Sequence, residues 1–367
     1  PMSRPLHLAV ELDGEGAHPA AWRRASHAPA ALLTPQRVRS VAQVAENAGF
    51  TLATFDDSLL PPGGVGPVGR IGAVERAAFA AVHTSVLGLA PVVSTTYSEP
   101  FHVSSQLASL DFAATGRAGW LVATTADAAA ARALGRPLVE GEVALRREAR
   151  DAVRVAADLW DSWEDDAAIR DVDTGRYLDR NKIHYIDFVG ETYSVKGPAI
   201  VPRPPQGRVV VIAPAGLLPE GGADVETVEG RTVAEVREVA SSALRFAELE
   251  VALDTPAAGA DERLADLGRH AAWPQTGRLR YTGPPGGLVA LLEELAAVVD
   301  GVRIHPAVLD EDLPELSARV LPALFRSGLA TRPKPGASLR TTFGLARPES
   351  RFARHLGTVP ADDVEPA

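Results

Sequence analysis

The sequence predicts an α/β protein folded as an eight-stranded (β/α)8 barrel. Strand-like and helix-like segments alternate along the chain, as they do when parallel strands are joined by helical crossovers. Eight such strand–helix units can be traced, and several strand-like segments end directly in polar residues, as barrel strands do at the face that carries active sites. An open doubly wound sheet is the alternative, but no Gly-x-Gly-x-x-Gly motif follows the first strand.

The first half of the chain shows the alternation most clearly. Thr34 is a predicted N-cap for the first helix, and Gly49 ends that helix. Pro100 comes at the start of the third helix, where its missing N–H would be unsatisfied in any case. The predicted strands are 6–12, 50–55, 86–93 and 118–123, and the predicted helices are 35–48, 73–82 and 101–114.

The second half contains a long insertion. A fourth helix is predicted over 142–163, and residues 164–207 then break the alternation with a stretch rich in charge, Tyr, Gly and Pro. Irregular segments of this length are usually functional, so we interpret 164–207 as an inserted hairpin or lid. We treat 1–367 as a single domain in which 330–367 form a C-terminal tail. The remaining predicted strands are 209–213, 223–228, 246–253 and 302–305, and the remaining helices, trimmed relative to a full barrel, are 232–242, 286–299 and 313–325.

The composition describes an ordinary globular protein. Of its 367 residues, 46% are hydrophobic and 23% are charged, and the net charge of −10 argues against a nucleic-acid partner. No apolar run approaches the roughly 20 residues of a membrane span, and no signal peptide is visible. We therefore expect a cytoplasmic protein without a membrane partner. The absence of cysteine excludes thiolate catalysis, and the spacing of His, Asp and Glu indicates no metal site.

Polar residues near the strand ends are the candidate functional residues. Asp57 follows the second strand, and Thr95 and Thr96 follow the third. Each could face a ligand at the barrel mouth or could cap a neighbouring loop, and the sequence leaves both roles open. His102, one turn into the third helix, is a candidate general acid or base, with capping or packing as its alternative role.

Several blocks of the chain resemble the bacterial luciferase-like flavin-dependent monooxygenases, specifically the branch of the nitrilotriacetate and dibenzothiophene-sulfone monooxygenases. The blocks follow the order of that branch and extend from residue 7 to about 354. They are HPAAWR (18–23), TFDDSL (54–59), VSTTYSEPFHV (93–103), QLASLDFAATGRAGW (106–120), LWDSWEDDA (159–167), KIHYIDFVGETYSVKGPAIVPRPPQGR (182–208), DGVRI (300–304) and LRTTFGLARPESR (339–351).

The resemblance implies a luciferase-like barrel that is usually a homodimer. It implies a two-component monooxygenase, in which a separate flavin reductase supplies reduced FMN and O2 is the co-substrate. A flavin C4a-peroxide would then oxidise a small organic molecule, with the flavin providing the oxygen chemistry. Matched by position, the flavin-binding Asp of the branch corresponds to Asp57, and its Thr corresponds to Thr95 or Thr96.

The chain departs from the branch where the FMN phosphate would bind. The His and Tyr of the branch, four residues apart, fall at Glu142 and Arg146, and its Gln-Ala-Gly-x-Ser loop reads Ala213–Leu217 here, without the serine. A phosphate needs cations or hydrogen-bond donors, so Arg146 or Arg147 could compensate, and Arg146 is the residue that we expect at the phosphate. Two main functions stay open: an FMNH2-dependent monooxygenase, or a divergent barrel without normal FMN binding that serves as a small-molecule-binding or partner subunit. A deazaflavin-dependent relative is a third.

Overall fold

A computed structural model describes residues 5–352 of this protein, so the last part of the predicted tail, 353–367, lies outside the described residues. Thirteen strands are described within that range. They are β1 (His7–Glu11), β2 (Leu52–Phe55), β3 (Gly88–Ser94), β4 (Gly119–Ala123), β5 (Ala168–Asp171), β6 (Arg176–Leu178), β7 (Phe188–Val189), β8 (Ser194–Val195), β9 (Val210–Pro214), β10 (Val225–Val228), β11 (Leu244–Leu253), β12 (Leu279–Gly283) and β13 (Gly301–Pro306).

Most of the α-helices cover the outside of the strands, whereas Leu339 of the last one packs with the residues inside the barrel. None of the helices within residues 5–352 is both long enough and apolar enough to cross a membrane. They are α1 (Pro35–Ala48), α2 (Ala73–Ala81), α3 (Pro100–Ala113), α4 (Ala128–Ala133), α5 (Glu142–Asp161), α6 (Val233–Glu238), α7 (Ala260–Gly268), α8 (Pro285–Leu295), α9 (Leu309–Glu315), α10 (Leu321–Ser327) and α11 (Leu339–Thr342).

Eight of the strands close into a parallel barrel, which confirms the predicted fold. Around the ring the order is β1, β2, β3, β4, β9, β10, β11 and β13, and β13 pairs with β1 to complete it. β11 is long enough to pair with β10 through its first half and with β12 through its second half. β12 is therefore a ninth parallel strand beside the barrel, and the sequence analysis did not predict it.

The signals that predicted the early helices act as expected. The Thr34 hydroxyl accepts a hydrogen bond from the N–H of Arg37, and Gly49 follows α1 with a φ of +98°. Pro100 is the first residue of α3, and the Glu99 carboxylate, which was not predicted as a cap, accepts hydrogen bonds from the N–H groups of Phe101 and His102. These caps satisfy N–H groups that have no partner inside the helix, so the helices begin where the sequence predicts.

The late helices differ from the prediction. α6 ends at Glu238 because β11 already begins at Leu244, and the helix expected over 313–325 begins at Leu309. Pro314 lies inside that helix, and a π-helical turn over Leu316–Val320 joins α9 to α10. Three helices, α4, α7 and α11, lie in segments for which no helix had been predicted.

The insertion lies against the outside of the barrel. It contains two short hairpins, β5–β6 and β7–β8, rather than the single one expected. Trp163, just after the end of α5, holds the insertion in place, because its indole N–H donates to the carbonyl of Ala199 at 2.8 Å.

Residues 215–224 connect β9 to β10 without a helix. A cavity of about 900 Å³ lies beside this connection, between α5, the β7–β8 hairpin and the outer face of β9.

Candidate active site at the mouth of the barrel

A two-lobed cavity opens at the carboxyl ends of the barrel strands. The inner lobe, of about 520 Å³, lies on the barrel floor, and the outer lobe, of about 430 Å³, lies between the segments that follow β2, β3 and β4. The lobes meet at Asp56, Val92, Ala123 and Thr124, which line both of them. Volumes of about 300–1,000 Å³ are typical of small-molecule sites.

A buried polar network forms the floor of the inner lobe. Arg303 is at its centre: Nη1 donates to Glu248 at 3.0 Å, Nε donates to the hydroxyl of Thr54 at 2.9 Å, and Nη2 donates to Glu11. The Thr54 hydroxyl donates to Glu11 at 2.7 Å, and Nε2 of His305 is hydrogen-bonded to the second oxygen of Glu248. Each of these residues is at most 9% exposed.

The network follows from strand geometry. Side chains of a barrel strand point alternately to the interior and the exterior, so residues two apart, such as Arg303 and His305 on β13, share a face. Small barrels are usually filled by apolar side chains, whereas this one buries two carboxylates and a guanidinium. Charges survive burial only when they are paired and hydrogen-bonded, and the contacts of Arg303 provide both conditions.

The network keeps its carboxylates ionised and its imidazole neutral. Burial alone would raise the pKa values of Glu11 and Glu248, but the charge of Arg303 and the hydrogen bonds that the two carboxylates accept outweigh it, and both pKa values are lowered. The pKa of Arg303 is raised because the two carboxylates outweigh the effect of burial. The pKa of His305 is lowered, first by burial and then by the positive charge of Arg303.

Two carboxylates at the rim of the cavity have raised rather than lowered pKa values. Asp13 pairs with Arg76 at 2.7 Å and Arg70 at 3.2 Å, yet burial raises its pKa to about 6. The Asp56 carboxylate accepts no hydrogen bond from a side chain between residues 5 and 352, although the backbone N–H of the adjacent Asp57 interacts with it. Desolvation by the surrounding atoms, followed by the negative charge of Glu11, raises the pKa of Asp56. Asp56 is therefore an open carboxylate at the junction of the lobes.

Of the three residues predicted near the ends of β2 and β3, Asp57 lines the outer lobe, whereas Thr95 and Thr96 line neither lobe. The Asp57 carboxylate also accepts hydrogen bonds from the N–H of Ser58 at 2.8 Å and of Ala73, the first residue of α2, at 2.7 Å. The two threonines are buried behind the wall of the outer lobe. The Thr95 hydroxyl donates to a carbonyl of β4 at 3.1 Å, and the Thr96 hydroxyl accepts the N–H of Thr125 at 3.1 Å, so they join the segments after β3 and β4.

His102 and Arg146 lie away from both lobes. His102 is exposed on α3, and its side chain makes no hydrogen bond with the residues that the structure describes. Arg146 is half exposed and pairs with Glu142 at 2.6 Å. Its Nη2 atom would lie 3.9 Å from a Cβ atom placed on Gly216, so the guanidinium adjoins the loop that follows β9.

The sequence analysis missed the floor network. A signal was present, since charged residues interrupt otherwise apolar strands at Glu248 and Glu250 on β11 and at Arg303 and His305 on β13. Their alternate spacing predicts that each pair shares one face of its strand. Which face points inward became clear only from the closed barrel.

A smaller side pocket of about 240 Å³ adjoins the inner lobe. The two share Asp13, Gly16 and Ala17, and the side pocket combines apolar walls with the charged side chains of Asp13, Glu15, Arg37, Arg70 and Arg76. Its apolar walls include Leu12, Trp22, Leu32, Val38, Val41, Phe55 and Ile71.

Beside this pocket, the structure brings together three residues whose spacing in the sequence had indicated no metal site. Side-chain ligand atoms of Glu15, His27 and Asp310 lie within 4.8 Å of one another, close enough to hold a metal ion. Arg37, however, already places a positive charge among them, 2.6 Å from Asp310 and 3.5 Å from Glu15. The cluster is thus an ion-pair network between the β1–α1 segment and α9.

Comparison with known proteins identifies the family. The sequence profile of the luciferase-like monooxygenases matches residues 17–273, which is most of the chain. The chain belongs to the luciferase-like monooxygenase family. This result confirms the family resemblance found in the sequence. Nitrilotriacetate and dibenzothiophene-sulfone monooxygenases are among the relatives that match this luciferase-like protein.

The relatives differ in how much of the chain they match. N-acetyl-S-(2-succino)cysteine monooxygenase from Bacillus subtilis (strain 168) is 37% identical over 210 residues, 56% of this chain and 47% of that protein. Nitrilotriacetate monooxygenase component A from Aminobacter aminovorans is 43% identical over 134 residues, 36% of this chain and 29% of that protein. The chain thus spans about half or less of these relatives. A pristinamycin IIA synthase subunit from Streptomyces pristinaespiralis is 31% identical over 331 residues, 89% of this chain and 94% of that protein.

A solved structure agrees with the family fold. The crystal structure of DmoA from Hyphomicrobium sulfonivorans superposes with a TM-score of 0.80, covering 99% of both chains at 18% identity. At this identity the likeness shows the barrel architecture alone.

Two hydrogen-bond donors lie where the resemblance places the FMN phosphate. Gly216, with a φ of +76°, has a backbone N–H that donates to no group among residues 5–352. The guanidinium of Arg146 adjoins it. A cation beside a free N–H in a glycine turn suits a phosphate, although Glu142 competes for the same guanidinium.

Proposed function

We propose that this protein is the oxygenase component of a two-component monooxygenase, which uses reduced FMN from a separate reductase and O2 to oxidise a small organic molecule. The observation that carries the proposal is the open two-lobed cavity beside β2, β3 and β4. A barrel mouth filled by side chains would leave no space for a tricyclic ring. The family match supports the same reaction class.

The residues of the outer lobe fit a flavin ring. Ser94, Ser98 and Thr125 line it with hydroxyl groups, and Asp57 adds a carboxylate able to accept a ring N–H. Arg146 and the N–H of Gly216 would hold the phosphate. When bound, reduced FMN would supply the activation of O2. The protein would orient the reactants and exclude water from the barrel.

His305 is the residue best placed to move a proton in the inner lobe. If Nε2 donates to ionised Glu248, Nδ1 is the unprotonated nitrogen, and it makes no hydrogen bond with the described residues. His305 lines the inner lobe, and Glu248 and Arg303 hold it in place. We assign to it the acid–base role that the sequence analysis gave to His102, because His102 lies outside the cavity.

A flavin titration tests this function. The purified protein should bind photoreduced FMN saturably, as measured by calorimetry under anaerobic conditions. Arg146→Ala should weaken the binding of FMN by roughly threefold to tenfold and leave riboflavin, which has no phosphate, nearly unchanged. Arg150→Ala is the matched control, since Arg150 is 53% exposed and Arg146 is 52% exposed on the same helix. Equal losses for FMN and riboflavin would refute the role of Arg146.

The second candidate is a partner subunit that binds no flavin. Two observations favour it: the nearly full-length match to one subunit of a synthase, and the absence of the phosphate-loop serine. A folded protein that binds FMN in neither redox state would support this candidate and refute the oxygenase. Saturable binding of reduced FMN would refute the partner subunit.

A further inference from the structure

We infer that the mouth cavity takes an amine, bound as its ammonium cation with an apolar group attached, as the molecule to be oxidised. The binding part of this inference rests on the cavity alone. The oxidation part rests on the proposed function: O2 would give one oxygen atom to the amine, and two electrons and two protons from the reduced flavin would release the other as water.

The side chains around the two lobes are predominantly acidic. Among the described lining residues, the basic ones are Arg278, Arg303 and His305, and the last is kept neutral by burial and by Arg303. The acidic ones are Glu11, Asp13, Asp56, Asp57, Glu75, Asp127, Glu229 and Glu248. Clefts lined by one sign of charge concentrate ligands of the opposite sign, so this cavity attracts cations and repels polycarboxylates.

The arginines of the inner lobe already have carboxylate partners. Arg303 binds two carboxylates within the floor network. Arg278 lies 3.6 Å from Glu250, 3.8 Å from Glu229 and 3.9 Å from Glu248. An anionic ligand would therefore have to compete with built-in carboxylates, whereas the Asp56 carboxylate is open to a cation.

Two unpaired polar atoms on deeply buried side chains point to a ligand that donates hydrogen bonds. Thr227 is 7% exposed and His305 is 3% exposed, and both line the inner lobe. The hydroxyl of Thr227 and Nδ1 of His305 have no hydrogen-bond partner among residues 5–352. With Nε2 donating to Glu248, Nδ1 can only accept. An ammonium group has three N–H donors and a positive charge, which match Nδ1, the Thr227 oxygen and the Asp56 carboxylate.

The side pocket supplies the place for the apolar part of the ligand. It opens beside the inner lobe at Asp13, Gly16 and Ala17, and Trp22 and Phe55 are among its walls. Burying apolar surface there adds about 25 cal/mol per Å² of affinity and orients the molecule with its ammonium group toward the floor. An aromatic or short alkyl amine fits this division between the polar inner lobe and the apolar walls of the side pocket.

Binding of three matched probes to the flavin-free protein tests the inference. Benzylamine, benzyl alcohol and benzoate share one ring and differ in charge, and calorimetry at pH 7.5 measures each affinity. Benzylamine should bind at least about fivefold more tightly than benzyl alcohol, benzoate should bind weakest, and raising the salt concentration should weaken the binding of benzylamine. Equal or tighter binding of benzoate, or no binding of benzylamine at about 20 mM, well above a millimolar Kd, would overturn the inference.

Substitutions then locate the site. Asp56→Asn should weaken benzylamine binding by about threefold to fivefold, and Thr227→Val, which replaces a hydroxyl by a methyl group, by about fivefold. Glu262 is an exposed acid on α7 outside the cavity, so Glu262→Gln should not change the affinity for benzylamine. It controls for the change in net charge that Asp56→Asn also makes. Unchanged affinity in both cavity variants would overturn the inference. Binding of benzylamine without binding of reduced FMN would support the ammonium site and reject the oxidation.

Discussion

Replacing Arg303 should destabilise the barrel strongly, because two buried carboxylates would lose their cation. Arg303 is 6% exposed and contacts Glu11 and Glu248 at the same time. Removing one partner of a buried ion pair costs about 3–5 kcal/mol. Arg303→Met keeps most of the side-chain volume, so the free energy of unfolding at pH 7.5 should fall by about this amount through the loss of charge and hydrogen bonds.

The loss should depend on pH with a definite sign. In the wild type the folded-state pKa of Glu248 is below its unfolded value of 4.5, so the stability it contributes is present above that value and is lost as the pH falls through the folded-state pKa. In Arg303→Met, burial acts on Glu11 and Glu248 with less opposition and raises their folded-state pKa values. The folded variant then binds more protons than the unfolded chain, and its stability falls as the pH rises. The difference in the free energy of unfolding between the wild type and Arg303→Met should therefore become smaller toward pH 5.

Urea unfolding followed by circular dichroism at several pH values from 5 to 7.5 measures both effects. Arg154→Met is the control, because Arg154 is 68% exposed and lies 3.6 Å from Asp158 one helical turn away. Exposed pairs of this kind contribute about 0.3–0.5 kcal/mol. Either of two results would refute the role of Arg303: Arg303→Met is no less stable than the Arg154→Met control at pH 7.5, or its loss of unfolding free energy relative to the wild type becomes larger toward pH 5.

Two further predictions concern the backbone at the mouth and a buried histidine. Gly16→Ala should lower the free energy of unfolding by about 2 kcal/mol or more, because φ is +129° and the new Cβ would lie 2.4 Å from the carbonyl oxygen of Ala307. Gly14→Ala, at φ +56° with nothing within 4 Å, should lose only about 1 kcal/mol in the same urea titration, and similar losses would contradict the role of the close contact. Burial lowers the pKa of His7 to about 4, so the unfolded chain protonates this residue before the folded one does. Between pH 7 and pH 4 the wild type should therefore lose up to about 3 kcal/mol relative to His7→Phe, and parallel pH profiles would exclude this explanation.

The order of the barrel strands could be predicted from sequence because local signals and the fold agree. Thr34 and Gly49 bound α1 as expected, and the apolar runs near β3 and β9 are buried strands. β12 was missed because Leu279–Gly283 carries charge and pairs beside the barrel, where burial on both faces is not required.

The site was harder to predict than the fold. Asp57 and the threonines were found because they follow strands, yet their hydrogen bonds to loops and to α2 could not be read from their positions. The charged floor was missed because a strand sequence does not show which face lies inside the barrel. Arg303 contacts Glu11 across 292 positions of sequence, and only closure of the barrel brings β13 beside β1.

The connection from β9 to β10 without a helix has a consequence for any attempt to shorten this protein. Where a helix would back the outer surface of β9, Val209 and Val211 instead border the 900 Å³ cavity, opposite Phe188 of the second hairpin. Excising residues 164–207 would therefore leave this part of the barrel wall backed by α5 alone, across an open cavity. Minimised variants of this scaffold should be sought among the loops on the opposite flank, with the double hairpin retained.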